Sequence, residues 1–560
     1  MTIQFDEEKQ NERLDSLRKK EEEDAVRAFA DKNGLDFVNL LVTPINTDAL
    51  RLIKEETSRS AKIVAFNKID KKIQVAVLTP ESQPTKTAVA ELTANGFTAV
   101  VFITTSEGLT KAWGHYKDII YATESRAGAL EVSSDEIASF SNKVHSIKDI
   151  GGLIEGVLAE KKSYRISRLI EIILAGALAT KASDVHIEPE ESYARLRFRL
   201  DGVLNDVLNF DRETFGLILS RIKLLSGLKI NIKSEAQDGR FSVKINADDI
   251  EIRTSLLPGA YSESIVMRIL NPKSIAVPME ELGIDQKLLA ILQHEISKPH
   301  GMILTTGPTG SGKTTTLYAF LRKVHTSGIK IITIEDPIEY HLPGIVQTQT
   351  NSEKGYTFLE GLRSALRQDP DIIMVGEIRD SETAEIAVNA ALTGHLVFST
   401  LHTNTAAGTF PRLIDLGVNS KTMSSAINVS MAQRLVRKLC EKCRKEVAIA
   451  GKEKKIIDEV LAIMKDKSAI TNTTKMWVEN EGGCDACNHT GFNGRVGVYE
   501  AILMTEAIEM VVRENPSERE IQKAALPQNI PTMKQDGITK VLAGITSLTE
   551  LGRVVDLERE

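Results

Sequence analysis

A glycine-rich segment near the middle of the chain has the residue types and spacing of a phosphate-binding loop: Gly307, Pro308, Thr309, Gly310, Ser311, Gly312, Lys313, Thr314 and Thr315. It stands between the apolar run MILTT and the helix-like run TTLYAFLRKV, which predicts a strand, a loop and a helix in this order. Glycines let backbone N–H groups curl around phosphate oxygens, and a helix N-terminus adds partial positive charge. Lys313 would reach the β- and γ-phosphates and Thr314 would ligate Mg²⁺, so we expect a site for ATP and magnesium.

Acidic residues follow two further apolar runs. The run IKIITI leads into EDPIE, which ends at Glu339, and the run DIIMV is followed by Gly376 and Glu377. Carboxylates at the C-terminal ends of strands lie where open α/β sheets bind ligands, so one of them could hold or polarise water near the γ-phosphate. Glu377 has the place of a Walker B carboxylate, with Glu instead of Asp, and would coordinate the metal through water or orient the nucleophile. An acidic loop that faces solvent is the alternative for EDPIE.

Two histidines, His395 and His402, flank the apolar run LVFSTL. A single histidine is usually structural, but two beside the predicted nucleotide site favour an imidazole that senses the γ-phosphate. A structural role for both histidines stays open.

The cysteines form two C-x₂-C pairs, Cys440 with Cys443 and Cys484 with Cys487. Two such pairs bring four thiolates within tetrahedral reach, and zinc is the natural occupant in a reducing compartment. Redox pairs and plain core cysteines are the alternatives. A site closed by four sulfurs leaves no open position, so the zinc would be structural.

The pattern of elements predicts an α/β fold with two smaller α/β or α+β domains before the nucleotide-binding domain. From about Leu282 strands and helices alternate, which favours a parallel sheet. We expect an arm at 1–24, a first N-terminal domain at 25–122, a linker at 123–150, a second N-terminal domain at 151–281, and a nucleotide-binding domain at 282–560 that includes a cysteine-bearing subdomain at about 438–497.

Composition excludes several classes of protein. With 42% hydrophobic and 26% charged residues, the 560-residue chain is neither collagen-like nor wholly disordered. The net charge of -7 does not indicate a large basic surface for nucleic acid. No apolar run reaches the ~18 residues of a membrane span, and the charged N-terminus is not a signal peptide. We therefore expect a cytoplasmic protein that meets the membrane only through partners.

Taken together, GPTGSGKTT, TIEDPIEY, LRSALRQDPDIIMVGEIRD and TGHLVFSTLHTN resemble the hexameric ATPases of type II secretion and type IV pilus assembly. The resemblance spans residues from about 155 to 560, and it implies a RecA-like P-loop motor domain. The tetracysteine insert is typical of the assembly and secretion members. The segment IKSEAQDGR lacks the basic pair and the proline that often precede QDGR in the family, so no role is predicted for Arg240.

The resemblance also implies roles for residues. Glu339 would be the general base that polarises the attacking water, Glu377 the Walker B carboxylate, and His402 a neighbour of the γ-phosphate. Arg253 and Arg268 match family arginines that reach the γ-phosphate from the second N-terminal domain. Such arginines offset the charge on the transferring group, as arginine fingers do.

The family's function implies a homohexameric motor that works on an inner-membrane platform protein and is docked by a cytoplasmic partner. It would power assembly of type IV pili or of a type II secretion pseudopilus. Two alternatives stay open: a motor linked to nucleic-acid translocation or DNA uptake, and a nucleotide-dependent switch with negligible turnover. The acidic net charge weighs against nucleic acid as cargo.

Overall fold

The computed structural model describes residues 23–43, 45–50, 52–69, 72–94, 96–116, 129–131, 147–159, 165–245, 248–271, 276–470 and 472–558. The chain forms two compact units, which consist of Met1–Glu131 with Val157–Leu169, and of Val132–Gly156 with Ile170–Glu560. Most of the predicted arm and of the predicted linker lies outside the described residues.

The first unit is built on a four-stranded sheet of β1 (Asp36–Phe37), β2 (Ile63–Ile69), β3 (Lys72–Val77) and β4 (Thr98–Ile103), in the order β1-β4-β3-β2. β4 is parallel to β1 and β3, and β2 is antiparallel to β3. Alternate residues of β2 enter two different apolar clusters, Ile63 one and Val64 the other, so both faces of the sheet are covered. A mixed sheet covered on both faces is an α/β arrangement.

Helices of the first unit cover residues 23–32, Thr47–Leu50, Glu55–Ser60, Gln83–Ala94 and Ser106–Gly114. A short strand, β5, spans Ala129–Glu131, and the helices Ile147–Leu158 and Arg165–Ala179 each have residues in both units.

The second unit begins with an antiparallel sheet of β6 (Asp184–Pro189), β7 (Tyr193–Leu200), β8 (Val203–Asp211), β9 (Gln237–Ile245), β10 (Asp248–Pro258) and β11 (Glu263–Leu270). These strands follow the order β9-β10-β11-β6-β7-β8. In β7 the apolar residues Ala194, Leu196, Phe198 and Leu200 are buried and alternate with three arginines. This alternation gives the strand one apolar face and one charged face. The helix Arg212–Leu225 follows β8.

A second sheet carries the glycine-rich segment. It contains β12 (Gly301–Thr306), β13 (Ile331–Glu335), β14 (Val346–Gln349), β15 (Ile372–Val375), β16 (Leu396–Leu401), β17 (Ile427–Leu439) and β20 (Phe492–Leu503). Between β17 and β20 the chain forms a separate two-stranded sheet of β18 (Lys445–Ala448) and β19 (Lys475–Val478). The order is β14-β13-β15-β16-β12-β17-β20, and only β17 and β20 are antiparallel. All residues of β12, β13, β15 and β16 are buried, as expected for a parallel sheet packed on both faces. The predicted parallel-rich sheet is confirmed.

Helices of this part of the chain cover Gln286–Glu295, Lys313–Val324, Phe358–Leu366, Ser381–Leu392, Thr409–Asp415, Ser420–Ala426, Gly451–Ile463, Glu506–Glu514, Glu518–Ala525, Met533–Leu542 and Leu548–Gly552. Two apolar clusters pack on the two faces of the sheet; Leu304 belongs to one and Ile303 to the other. Short 3₁₀ turns occupy Met279–Glu281, Ser352–Lys354, Asp485–Cys487 and Leu526–Gln528. Within the described ranges, no helix combines the length and apolar character needed to cross a membrane.

Candidate functional site

The candidate site lies where four parallel strands end at one edge of the sheet. Thr306, the last residue of β12, pairs with Leu401, the last residue of β16. β15 lies on the other side of β16, and β13 lies next to β15. This register brings the segments that follow these strands together, so Gly307, Glu377 and His402 come from separate parts of the sequence to a common edge.

Strand β17 packs against the glycine-rich loop. Gly307 has a φ of 147°, and a Cβ at this position would lie 2.6 Å from the backbone oxygen of Gln433 and 2.6 Å from Ser311 Oγ. The Gln433 side chain is buried and donates a hydrogen bond from Nε2 to the Ser311 carbonyl at 2.7 Å. Only glycine satisfies both the conformation and the close approach at position 307.

The helix Lys313–Val324 starts directly after the loop. Gly312 is its N-cap residue, has a φ of 91°, and provides no side-chain cap. The N–H groups of the first turn have no acceptor within the helix, so this end of the helix suits an anion. Among the other residues predicted to bind nucleotide, the exposed ones are Pro308, Thr309 and Gly310. Thr314 and Thr315 are half-buried.

Lys313 folds back over the loop. Its Nζ donates to the Gly307 carbonyl at 2.7 Å and to the Pro308 carbonyl at 3.2 Å. Burial and the nearby charge of Arg434 lower the pKa of Lys313 to about 8. A second cation and partial desolvation both disfavour a charged ammonium, whereas a phosphate would favour it.

The Thr306 hydroxyl ties the ends of β12 and β16 together. Its Oγ1 donates to the Leu401 carbonyl at 3.1 Å and accepts from the Thr403 backbone N–H at 2.8 Å. The Oγ1 atoms of Thr306 and Thr403 are 2.7 Å apart. These bonds hold His402 at the start of the loop.

Glu377 binds two cationic or ionisable neighbours. His402 Nε2 lies 2.9 Å from Glu377 Oε2, and Arg379 Nε contacts Glu377 Oε1. Arg379 NH1 also lies 3.8 Å from Asp336 Oδ2, so this arginine links two of the acidic segments. Arg379 was not identified from the sequence, although it stands only two residues after Glu377 in GEIRD.

His395 and His402, the two histidines that flank β16, lie at opposite ends of this strand. Burial, followed by the charges of Lys313 and Arg379, lowers the pKa of His402 and so favours its neutral imidazole. His395 lies at the opposite end of β16, where its Nδ1 is 3.1 Å from the Ala390 carbonyl oxygen. Six strand residues span about 20 Å, so the expectation that both histidines adjoin the site is wrong for His395.

Arg253 of β10 reaches the acidic segment after β13. Its NH1 donates to Glu339 Oε2 at 3.1 Å, its NH2 to the Ile338 carbonyl at 2.5 Å, and its Nε to Glu251 Oε1 at 3.0 Å. The antiparallel sheet therefore contacts the parallel sheet at the candidate site, through one guanidinium group.

Arg268 is held within its own sheet. Its Nε donates to Asp184 Oδ1 at 3.0 Å, and its side chain is 60% exposed. Arg240, Arg253 and Arg268 are register partners on β9, β10 and β11, so they form a row on one face of the sheet. Contact of Arg268 with a nucleotide stays a prediction.

Glu335, the last residue of β13, is a buried structural carboxyl group. It accepts hydrogen bonds from the hydroxyls of Tyr318 and Thr333, and from Gln347 Nε2 at 3.0 Å. Burial raises its pKa, although these three hydrogen bonds lower it in part. Glu335 thus fixes the end of β13, and Glu339 is the carboxylate of this segment that faces Arg253.

The four cysteines come together although 40 residues separate the two pairs in the sequence. Their Sγ atoms all lie within 4.8 Å of one another, and three of the S–S distances are 3.8, 3.9 and 3.8 Å. A tetrahedral zinc with Zn–S bonds of ~2.3 Å needs sulfurs ~3.8 Å apart. The thiolate set and its spacing therefore fit a structural zinc.

Two arginines near the cysteine cluster stack on aromatic rings. Arg444, next to Cys443, lies 4.4 Å over the Trp477 ring, and Arg437 of β17 lies 3.9 Å over the Phe492 ring. Cation–π contacts of this kind add to the hydrophobic packing around the cluster.

Comparisons with known proteins show which family the chain resembles. The family model described as Type II/IV secretion system protein matches residues 159–553. The Type II secretion system protein E of Aeromonas hydrophila is 44% identical over 400 residues, which cover 71% of this chain and 77% of the relative. The Type II secretion system ATPase E of Vibrio cholerae serotype O1 is 40% identical over 420 residues, which cover 75% of this chain and 81% of the relative.

Among solved structures, the ATPase DotB of Legionella pneumophila has a TM-score of 0.49 at 22% identity, covering 71% of this chain and 97% of its own. The fold, the site and the family match define the class as a secretion ATPase. The chain belongs to the Type II/IV secretion system protein family, and the family implies the use of ATP and Mg²⁺.

Proposed function

We propose that this chain is an ATP-hydrolysing hexameric motor that powers assembly of a type II secretion pseudopilus or a type IV pilus. The observation that carries the proposal is the contact of Arg253 with Glu339 at 3.1 Å. Glu339 follows β13 at the same edge of the sheet as the glycine-rich loop and Lys313. A catalytic group engaged from a second domain makes hydrolysis depend on domain position. The names of the relatives from A. hydrophila and V. cholerae support the role in secretion.

In this proposal the segment 307–315 is a P-loop of a RecA-like domain. Its backbone N–H groups and the uncapped helix N-terminus receive the phosphates, and Lys313 turns from the Gly307 carbonyl to the β- and γ-phosphates. Thr314, with Glu377 through water, would hold Mg²⁺, whose charge offsets that of the phosphates. The neutral imidazole of His402 would donate a hydrogen bond near the γ-phosphate.

Hydrolysis needs one proton acceptor and fixed positive charge. The water oxygen forms a bond to the γ-phosphorus while the bond from that phosphorus to the bridging oxygen breaks, which yields ADP and phosphate. Glu339 takes a proton from the attacking water. Arg253 and Arg268 offset the charge that builds on the transferring group.

The domain boundaries expected from the sequence give each part a task. Residues 151–281 carry the arginines, and residues 282–560 carry the motor and its zinc-bearing subdomain at about 438–497. Residues 25–122 dock a cytoplasmic partner, and the linker 123–150 joins them to the rest of the chain. Closure of residues 151–281 on the motor in a homohexamer would turn an inner-membrane platform protein. The motor acts in the cytoplasm, peripheral to the membrane.

Phosphate release by the purified full-length chain tests the proposal, with the oligomeric mass measured in the same samples. We expect multiple turnovers from a hexamer, no stimulation by DNA, and loss of turnover in Lys313→Ala. Lys323→Ala is the matched control, because Lys323 is exposed at the other end of the same helix and pairs with Glu280. Turnover in Lys313→Ala equal to that of the control would overturn the proposal, and a chain that binds ATP without turnover would be a switch.

A further inference from the structure

Arg434 lies beside the glycine-rich loop but is not among the residues predicted to bind or hydrolyse the nucleotide. It belongs to β17, which runs parallel to β12 with Ala432 opposite Thr306. Arg434 therefore stands two residues beyond the last paired position, level with the loop that begins at Gly307. The side chain is half-buried.

Its hydrogen bonds place the guanidinium group against the loop. NH1 donates to the Gln433 carbonyl at 3.2 Å, and this is the oxygen that lies 2.6 Å from where a Cβ of Gly307 would be. The carbonyl of Gly307 in turn accepts from Lys313 Nζ at 2.7 Å. Arg434 and Lys313 thus approach the same loop residue, and Arg434 NH2 is fixed by the Asn404 carbonyl at 3.1 Å.

The charge of Arg434 is not neutralised by a contact. In the described part of the chain no carboxylate oxygen lies within 4 Å of its guanidinium nitrogens, and its Nε–H has no acceptor. Arg434 is close enough to Lys313 to lower the pKa of the lysine, after the larger effect of burial. The carboxyl group of Glu500 interacts with Arg434 at longer range and offsets part of its charge. Two half-buried cations side by side nevertheless favour an anion in this region.

We propose that Arg434 is a phosphate-binding residue, which with Lys313 contacts the terminal phosphates of the bound nucleotide from within the same chain. The inference rests on the proposed function, since it assumes a nucleotide at the loop. The planar guanidinium has donors left for phosphate oxygens and a fixed orientation, because neutral carbonyl oxygens hold its other edge. Unlike Arg253, it would not depend on domain closure.

The test is the dissociation constant of a non-hydrolysable ATP analogue and of ADP for the full-length chain. Loss of hydrogen bonds to a charged group predicts that Arg434→Ala weakens binding of the ATP analogue roughly tenfold to a hundredfold. Arg434→Lys should recover part of this loss, because the charge is kept while the planar donors are lost. Lys438→Ala is the matched control, since Lys438 is an exposed cation of the same strand.

Folding is checked by the thermal midpoint without nucleotide, which Arg434→Ala should leave within a degree or two of that of Lys438→Ala. The proposal is overturned if Arg434→Ala binds the analogue as tightly as the control, or if its weaker binding comes with a lowered midpoint and no recovery by Arg434→Lys. Failure of the wild-type chain to bind ATP at all would instead refute the proposed function.

Discussion

Arg253 NH1 donates to Glu339 Oε2 at 3.1 Å, so the predicted finger arginine and the predicted general base form an ion pair. A γ-phosphate would compete with Glu339 for Arg253. Binding of ATP could then release the base and recruit the arginine in one exchange.

This exchange predicts the effect of removing Arg253. In Arg253→Ala the base is unpaired, but the transferring phosphoryl group loses a fixed positive charge. We expect kcat to fall about a thousandfold, the lower end of arginine-finger effects in other phosphate-loop enzymes, while the dissociation constant of ATP changes only a few-fold. Single-turnover hydrolysis and equilibrium nucleotide binding separate the two quantities.

Glu251→Gln is the control for Arg253→Ala, because Glu251 holds the same guanidinium at Nε without contacting the acidic segment after β13. It should keep most of the activity. A rate for Arg253→Ala within twofold of this control would show that the arginine does not act on the transferred group.

The cysteine cluster predicts one zinc per chain. Replacing one of four closely spaced thiolates opens the tetrahedral site and lowers metal affinity, and the folding energy of a structural zinc is lost with the metal. Cys484→Ser should therefore lose zinc and become sensitive to proteolysis between residues 440 and 490. Metal analysis and mass spectrometry of the fragments measure both effects.

His489→Ala serves as the control for Cys484→Ser. Its Nδ1 lies 3.2 Å from the Gly482 carbonyl oxygen and its Nε2 3.2 Å from Asp485, outside the sulfur cluster. It should retain zinc. Full zinc content in Cys484→Ser would refute a four-sulfur site.

The sequence predicts residues that a short motif fixes, and it fails where side chains meet across strands. The segment 307–314 and the C-x₂-C pairs carry their geometry in local spacing, and the ends of β15 and β16 follow from apolar runs. The contacts of Arg379 with Asp336 and of Arg434 with Asn404 could not be identified this way, because they join segments that belong to different strands. His395 was misplaced because flanking a strand on both sides puts two residues at opposite edges of a sheet.

Glu550 is predicted to be the main polar anchor of the C-terminal helix Leu548–Gly552. It is buried and accepts three hydrogen bonds from Arg437, one from the backbone N–H at 3.1 Å and two from the guanidinium at 3.0 and 2.6 Å. It accepts two more from the Arg553 guanidinium at 3.1 and 2.8 Å. Glu550→Ala leaves Arg437 partly buried without its counter-charge, which typically costs about 3 kcal/mol. We expect a thermal midpoint several degrees lower, whereas Glu514→Gln, an exposed control, should change it little.

The contribution of Glu550 to stability depends on pH. Burial alone would raise its pKa, but hydrogen bonds from Arg553 and Arg437 bring it below the usual value of 4.5. The stabilisation is therefore present above pH 4.5 and is lost as the pH falls through the lower pKa of the folded state. Wild type and Glu550→Ala should converge in midpoint under strongly acidic conditions; a difference that persists there would assign the effect to packing.

Lys313 predicts how nucleotide affinity depends on pH. Without nucleotide its pKa is about 8, because burial and Arg434 disfavour the ammonium. Phosphate binding requires the charged form and raises the pKa in the complex. Below pH 8 affinity should be nearly constant with respect to this group, and above it the dissociation constant should rise up to about tenfold per pH unit. ADP binding between pH 7 and 9.5 measures the slope.

Lys313→Arg separates this titration from others in the site. Arginine stays charged throughout the range, so the variant should show a flat profile. It should bind nucleotide more weakly overall, because a planar guanidinium replaces the compact ammonium that the phosphates would receive from Lys313. His402 does not interfere, since its lowered pKa places its titration below 6.5. An equal slope in the variant and the wild type would assign the pH dependence to another group, and a flat wild-type profile would mean that Lys313 is already fully charged at pH 9.5.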